Sequence, residues 1–221
     1  MSHGCTHDFY CTLKGQTMFE KDSLNEFTYR LASDKPIPGG GGASALAAAL
    51  AASLSRMVTE VTLAGERSKI PETELAALSE RGEELRRNFL HLIEKDAEVF
   101  KPLSEAYRLP KDSPGRDETL ELCLRDAASA PLEMFDFCCK TVELLEELSE
   151  KCTGLIRSDI ATGAAICAGA LKGAACNVRI NTKLMKDREY ALKIDEDIDG
   201  RLPEYSAKAE HIFTVIYRAL V

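Results

Sequence analysis

An all-α fold, an up-and-down bundle of long helices, is what this sequence predicts, and three observations carry it. Alanine is abundant, Pro numbers only eight in 221 residues and β-branched runs are few, a balance that favours helix over strand. Apolar residues recur three or four apart over long stretches, the helical period. No segment reads as a strand, and no internal repeat is present.

The elements follow in order. Residues 1–17 hold His3, Cys5, His7 and Cys11 in a spacing that matches no zinc pattern. They read as a flexible N-terminal extension, and residues 18–221 as one helical domain. Ser23-Leu24-Asn25-Glu26 is an S-x-x-E capping box that opens a first helix to about Ala32. Asp34 to Pro38, with two prolines, ends it. A second helix starts in Gly39–Gly42 and runs to about Ala64, with Gly65 placed to cap it. Pro71 suits the first turn of a third helix, which continues to about Leu109 with a kink expected at Pro102. Pro110 to Arg116 is a turn-rich loop. A fourth helix spans Asp117 to Lys151, bent at Pro131, and Gly154 marks the next break. A fifth runs from about Ser158 to Met185, and one or two more fill Asp187 to the end.

Lys plus Arg total 28 against 36 Asp plus Glu, a net charge of −8. That excludes the broad basic surface of a nucleic-acid binder. No signal-like segment stands at the N-terminus. Ser53, Ser55 and Arg56 break the Ala-rich run after Gly42, short of the ~20 apolar residues of a membrane helix. Several of the eight cysteines fall in apolar helical patterns, as reduced thiols do. The expectation is a cytoplasmic protein with no membrane, nucleic-acid or metal partner.

Three features depart from a plain bundle. The first is the glycine run. It is not a Walker A loop, because no Lys-Ser or Lys-Thr follows. Gly40-Gly41-Gly42-Ala43-Ser44-Ala45 matches G-x-G-x-x-[GA], yet no strand precedes it, as a dinucleotide fold requires. What remains is a helix N-terminus with bare N–H groups, suited either to a ligand's anionic group or to close packing. The second is Asp96. It takes an apolar place in the series Leu85, Phe89, Leu92, Asp96, Phe100, Leu103, Tyr107. A carboxylate there is either bonded to a neighbouring helix or poised as an acid or base, with burial raising its pKa. The third is the fifth helix. It is rich in small residues, with Gly163, Gly169 and Gly173, and carries Asn177 and Asn181 on one face. Asp159 near its start suits either a cap or a ligand contact.

The PGGGG segment, Lys95-Asp96-Ala97-Glu98-Val99-Phe100, Arg108-Leu109-Pro110-Lys111-Asp112, Ser158-Asp159 and Asn177-Val178-Arg179-Ile180-Asn181 occur in this order. Together they resemble the formimidoyltetrahydrofolate cyclodeaminase / methenyltetrahydrofolate cyclohydrolase family, from about residue 20 onward. The resemblance implies an all-helical homodimer that binds a tetrahydrofolate derivative near the subunit interface. It implies an acidic catalytic residue at Asp96 and no cofactor beyond the folate substrate. The family usually has Ser where Gly42 stands, and Ser44 is close by. The implied reaction is conversion of 5-formiminotetrahydrofolate to 5,10-methenyltetrahydrofolate and ammonia. The alternatives are hydrolysis of the methenyl compound to 10-formyltetrahydrofolate and a non-catalytic folate-binding role. Candidate contacts to the folate are Gly39, Gly40, Gly41, Gly42, Ser44 and, more weakly, Thr62. Asp159, Asn177 and Asn181 are candidates for the pterin, and Arg67, Lys69, Lys111 and Arg179 for its glutamate tail.

Overall fold

The structure, a computed structural model, describes residues 19–65 and 69–220. The expected N-terminal extension, residues 1–17, and the candidate Arg67 lie outside the described residues. A short 3-10 turn, Phe19–Lys21, leads into α1 (Leu24–Leu31). The capping box is in place: Ser23 Oγ accepts the Glu26 N–H, and the Glu26 carboxylate accepts the Ser23 N–H. Then come α2 (Gly40–Ala64), α3 (Glu72–Tyr107), α4 (Arg116–Lys151), α5 (Arg157–Thr182) and α6 (Arg188–Arg218). The chain after Asp187 is thus one helix, continuous through Pro203. Pro71 is the residue before α3 rather than part of its first turn. Likewise α5 stops at Thr182, three residues early. Arg188 there reaches back to donate to the Thr182 carbonyl at 2.7 Å, satisfying one of the helix's last acceptors.

Cross-helix pairs fix the directions. On α3 and α4, Arg81 pairs with Glu147 and, further along α3, Lys95 pairs with Glu133. The partner numbers fall as the first rise, so the two helices are antiparallel. The same holds for α2 and α3 through Glu60–Ser79 and Arg56–Glu83. On α4 and α5 it holds through Cys138–Cys167 and Ala127–Asn181. Helices α2, α3, α4 and α5 close a ring, and α6 lies against α5 and α4. One large core, including Phe89, Met134, Phe135, Leu145, Ile160 and Leu171, fills it.

Glycine sets two of the seams. A Cβ at Gly82 would lie 3.2 Å from the Arg56 backbone, and one at Gly173 would lie 2.2 Å from Ser44 Oγ. The small residues of α2 and α5 therefore buy close approach, which offsets the helix cost of glycine, about 1 kcal/mol each.

Among the described residues, α2 alone is long and apolar enough to cross a membrane by length and composition. Ser53 and Ser55 do not interrupt it, because their hydroxyls donate to the Ala49 and Ala51 carbonyls one turn back. Here the helix packs against α3, α4 and α5.

Candidate active site

The N-terminus of α2 is where the glycines and Asp96 meet. Gly39 is extended, the helix begins at Gly40, and its first turn closes with the Ala43 N–H donating to the Gly39 carbonyl at 3.0 Å. The first N–H groups of any helix lack intrahelical partners. One is satisfied from across the bundle, as the Gly42 N–H donates to the Asp96 carboxylate. Gly41 makes that approach possible. A Cβ on it would stand 2.2 Å from Asp96 Oδ1 and 2.4 Å from Oδ2, far inside any tolerable contact. The glycine run is the slot that admits a carboxylate to the helix end.

Asp96 is half-buried at the wall of a cavity of about 350 Å³, within the ~300–1,000 Å³ range of small-molecule sites. Burial raises its pKa to about 6, against the opposing pull of the Gly42 N–H. No cation is among the causes of that shift, so removal from water dominates. A group titrating there is usable as acid or base near neutral pH.

The opposite wall is the end of α5. Asn177 Nδ2 donates to the Gly173 carbonyl at 2.8 Å, and Asn181 Nδ2 to the Asn177 carbonyl at 2.9 Å. Asn181 Nδ2 also donates to the Ala127 carbonyl of α4 at 3.3 Å. That carbonyl lies four residues before Pro131, which has no N–H to give it. The proline thus leaves an acceptor that Asn181 fills, and α4 runs unbroken through Pro131. Asn181 commits both amide hydrogens to backbone and Asn177 one of its two, and both side chains line the cavity. Phe100, Tyr107, Ile37 and Leu184 supply its apolar wall.

The cavity brings together Gly39, Gly40, Gly41, Asp96, Asn177 and Asn181. The other candidates do not line it. Gly42 is buried beside Pro38, Ile93 and Phe27. Ser44 turns its hydroxyl back to the Gly40 carbonyl at 2.8 Å and faces Gly173, so it does not substitute for a hydroxyl at position 42. Thr62 and Lys69 line a separate hollow at the far end of α2. Asp159 sits in the first turn of α5, where no side chain makes a cap hydrogen bond and Ile156 is the N-cap residue. It is about 27 Å along the helix from Asn177. Lys111 is exposed in the loop between α3 and α4. Arg179 is committed to Asp199 and to Asp195, the latter at 3.5 Å. Phe100 and Tyr107 were missed as cavity residues, because apolar side chains at helical spacing look the same whether they face a core or a cavity, and Ile37 was missed because it lies in the linker between α1 and α2.

A family model described as formiminotransferase-cyclodeaminase matches residues 23–200. The chain is 31% identical over 203 residues to a methenyltetrahydrofolate cyclohydrolase of Methylorubrum extorquens, covering 90% of this chain and 98% of that protein. It is 29% identical over 191 residues to formimidoyltransferase-cyclodeaminase of Mus musculus, spanning 35% of that longer protein. A crystal structure of formiminotetrahydrofolate cyclodeaminase from Thermotoga maritima matches with a TM-score of 0.78 at 29% identity, over 90% of this chain and 98% of that one. By sequence over most of its length and by fold, the chain belongs to the formiminotransferase-cyclodeaminase family.

Proposed function

We propose that this chain converts 5-formiminotetrahydrofolate to 5,10-methenyltetrahydrofolate and ammonia, with Asp96 as the acid/base. The observation that carries the reading is a carboxyl with a pKa near 6, held by a helix N-terminus at the wall of a cavity of suitable size. N10 attacks the formimino carbon, a C–N bond forms, and the bond to the departing nitrogen breaks. The departing nitrogen receives the N10 proton and a second proton from protonated Asp96, and so leaves as ammonia. The carboxylate left behind then stabilises the cationic methenyl product. The bare N–H groups of Gly40 and Gly41 and the Asn177 and Asn181 oxygens are the polar contacts for the pterin. This chemistry calls for no further cofactor.

The second reading is hydrolysis of the methenyl compound, with ionised Asp96 as base toward water. It is favoured by the end-to-end match to the Methylorubrum cyclohydrolase. Absorbance of the methenyl chromophore separates the two. Its appearance with ammonia from the formimino compound supports the first, its accelerated loss supports the second, and neither overturns both. The pH profile agrees with one sign only: an acid loses activity as pH rises through about 6, and a base gains it.

The assembly is read as a homodimer through the outer face of α2 and α5. Leu50 and Val61 are each 50% exposed there and Ile180 is 55% exposed, while a Cβ at Gly169 would meet nothing within 4 Å. A monomeric mass by light scattering would overturn this. The six cysteines of the described residues are free thiols, in keeping with a cytoplasmic location.

A further inference from the structure

Tyr107 and Leu184 stand at one end of the cavity. The same two side chains wall a second hollow of about 240 Å³, between the start of α4 and the turn joining α5 to α6. Four charged side chains line it: Arg116, Asp117, Glu121 and Lys186. Three are spent on one another or on neighbours. Lys186 pairs with Asp117. Glu121 takes Arg125 at 3.2 Å and the Lys186 N–H at 2.6 Å. Arg116 makes no ion pair among the described residues. Its Nε donates to the Leu109 carbonyl at 3.1 Å, which pins the half-buried side chain; its charge helps lower the pKa of the adjacent Asp117, and its terminal amino groups make no hydrogen bond among the described residues.

We propose that Arg116 is a substrate-binding residue that receives the glutamate carboxylate of the folate. The inference rests on the folate reading above. With the reacting carbon at Asp96, the aminobenzoyl ring lies along Phe100 and Tyr107. Asp96 and Tyr107 are three turns apart on α3, about 16 Å. The tail then passes Leu184 into the second hollow, where a planar guanidinium suits a carboxylate better than an ammonium does. None of the four cations expected from sequence lines either hollow among the described residues: Lys69, Lys111 and Arg179 lie elsewhere, and Arg67 is outside the described range.

The test uses the full chain and two forms of whichever folate it turns over: the monoglutamate, and the tetrahydropteroate counterpart that lacks glutamate. Arg116→Gln is expected to raise KM about tenfold for the monoglutamate, with kcat within twofold. It should leave KM for the pteroate form unchanged, and Arg116→Lys should recover part of the loss. Equal KM changes on both forms, a kcat loss on both, or no change at all would overturn the assignment while leaving the folate reading intact. A wild-type chain that turns over neither form removes that reading, and this inference with it.

Discussion

At its N-terminal end α2 opens on a slot of glycines into which Asp96 projects. At its C-terminal end it closes on a hollow of about 460 Å³ lined by Thr62, Lys69, Lys151 and Cys152. The hollow at the C-terminal end is larger than the Asp96 cavity, yet its chemistry is mostly consumed. Thr62 donates to the Val58 carbonyl at 2.7 Å, and Lys151 pairs with Glu74 at 2.5 Å. Burial raises the Cys152 thiol above its ordinary value, away from the reactive thiolate. At the first end a carboxyl is held out of water with no cation to neutralise it. A reactive site is marked by a group left poised, and volume alone does not supply one.

The strongest attempt to break this contrast is Asp96→Asn. It is expected to cut kcat about 10²- to 10⁴-fold, and near-wild-type turnover would end the acid/base assignment. The same variant reports on stability. The folded carboxyl titrates near 6 against an ordinary value of 3.8. The native state therefore holds its proton longer than the unfolded chain, and stability falls as pH rises through that window. Removing the charge should stabilise the protein by about 1–2 kcal/mol at pH 8, allowing for partial exposure, with no gain at pH 4. Chemical denaturation at the two pH values measures it.

Adjacent glycines sharpen the same point. Gly41→Ala should cost at least tenfold in kcat/KM, since its methyl group must displace the Asp96 carboxylate. Gly42→Ala meets its nearest neighbour, Pro38, at 3.5 Å, an ordinary contact, and should keep activity within threefold. Parallel assays of the two, with circular dichroism to confirm folding, test whether the slot is specific to one residue. Equal losses would mean that the whole turn, rather than the Asp96 contact, sets the requirement.

The smallest effect is expected at the other end. Lys69→Ala should change KM less than twofold. A tenfold rise would join the two ends functionally, which a partner subunit laid antiparallel across α2 could do.

The helices were legible because their signals are local. The Ser23–Glu26 box, the Gly65 stop and the three-to-four spacing of α3 act within a turn or two of backbone. Asp96 was legible for a related reason, as a charge where the period demands an apolar side chain. Which cations stay out of ion pairs was not legible. Whether Arg179 is free depends on Asp195 and Asp199, brought beside it by the turn into α6. Asn181 looked like a recognition group, and its amide is also the donor that Pro131 made necessary in another helix.

The amino-acid order by itself determined where helices start and stop, that α2 and α5 are narrow enough to lie close, and that one acid sits on a greasy stripe. Only the tertiary structure decided that this acid enters the slot at Gly41, that Thr62 and Lys69 lie at the opposite end from it, and that Arg116, unlike Arg179, makes no ion pair among the described residues. The physical reason is range. Helical periodicity is written into neighbouring residues, whereas the environment and pairing of a charge are set by side chains that become neighbours only when the bundle closes.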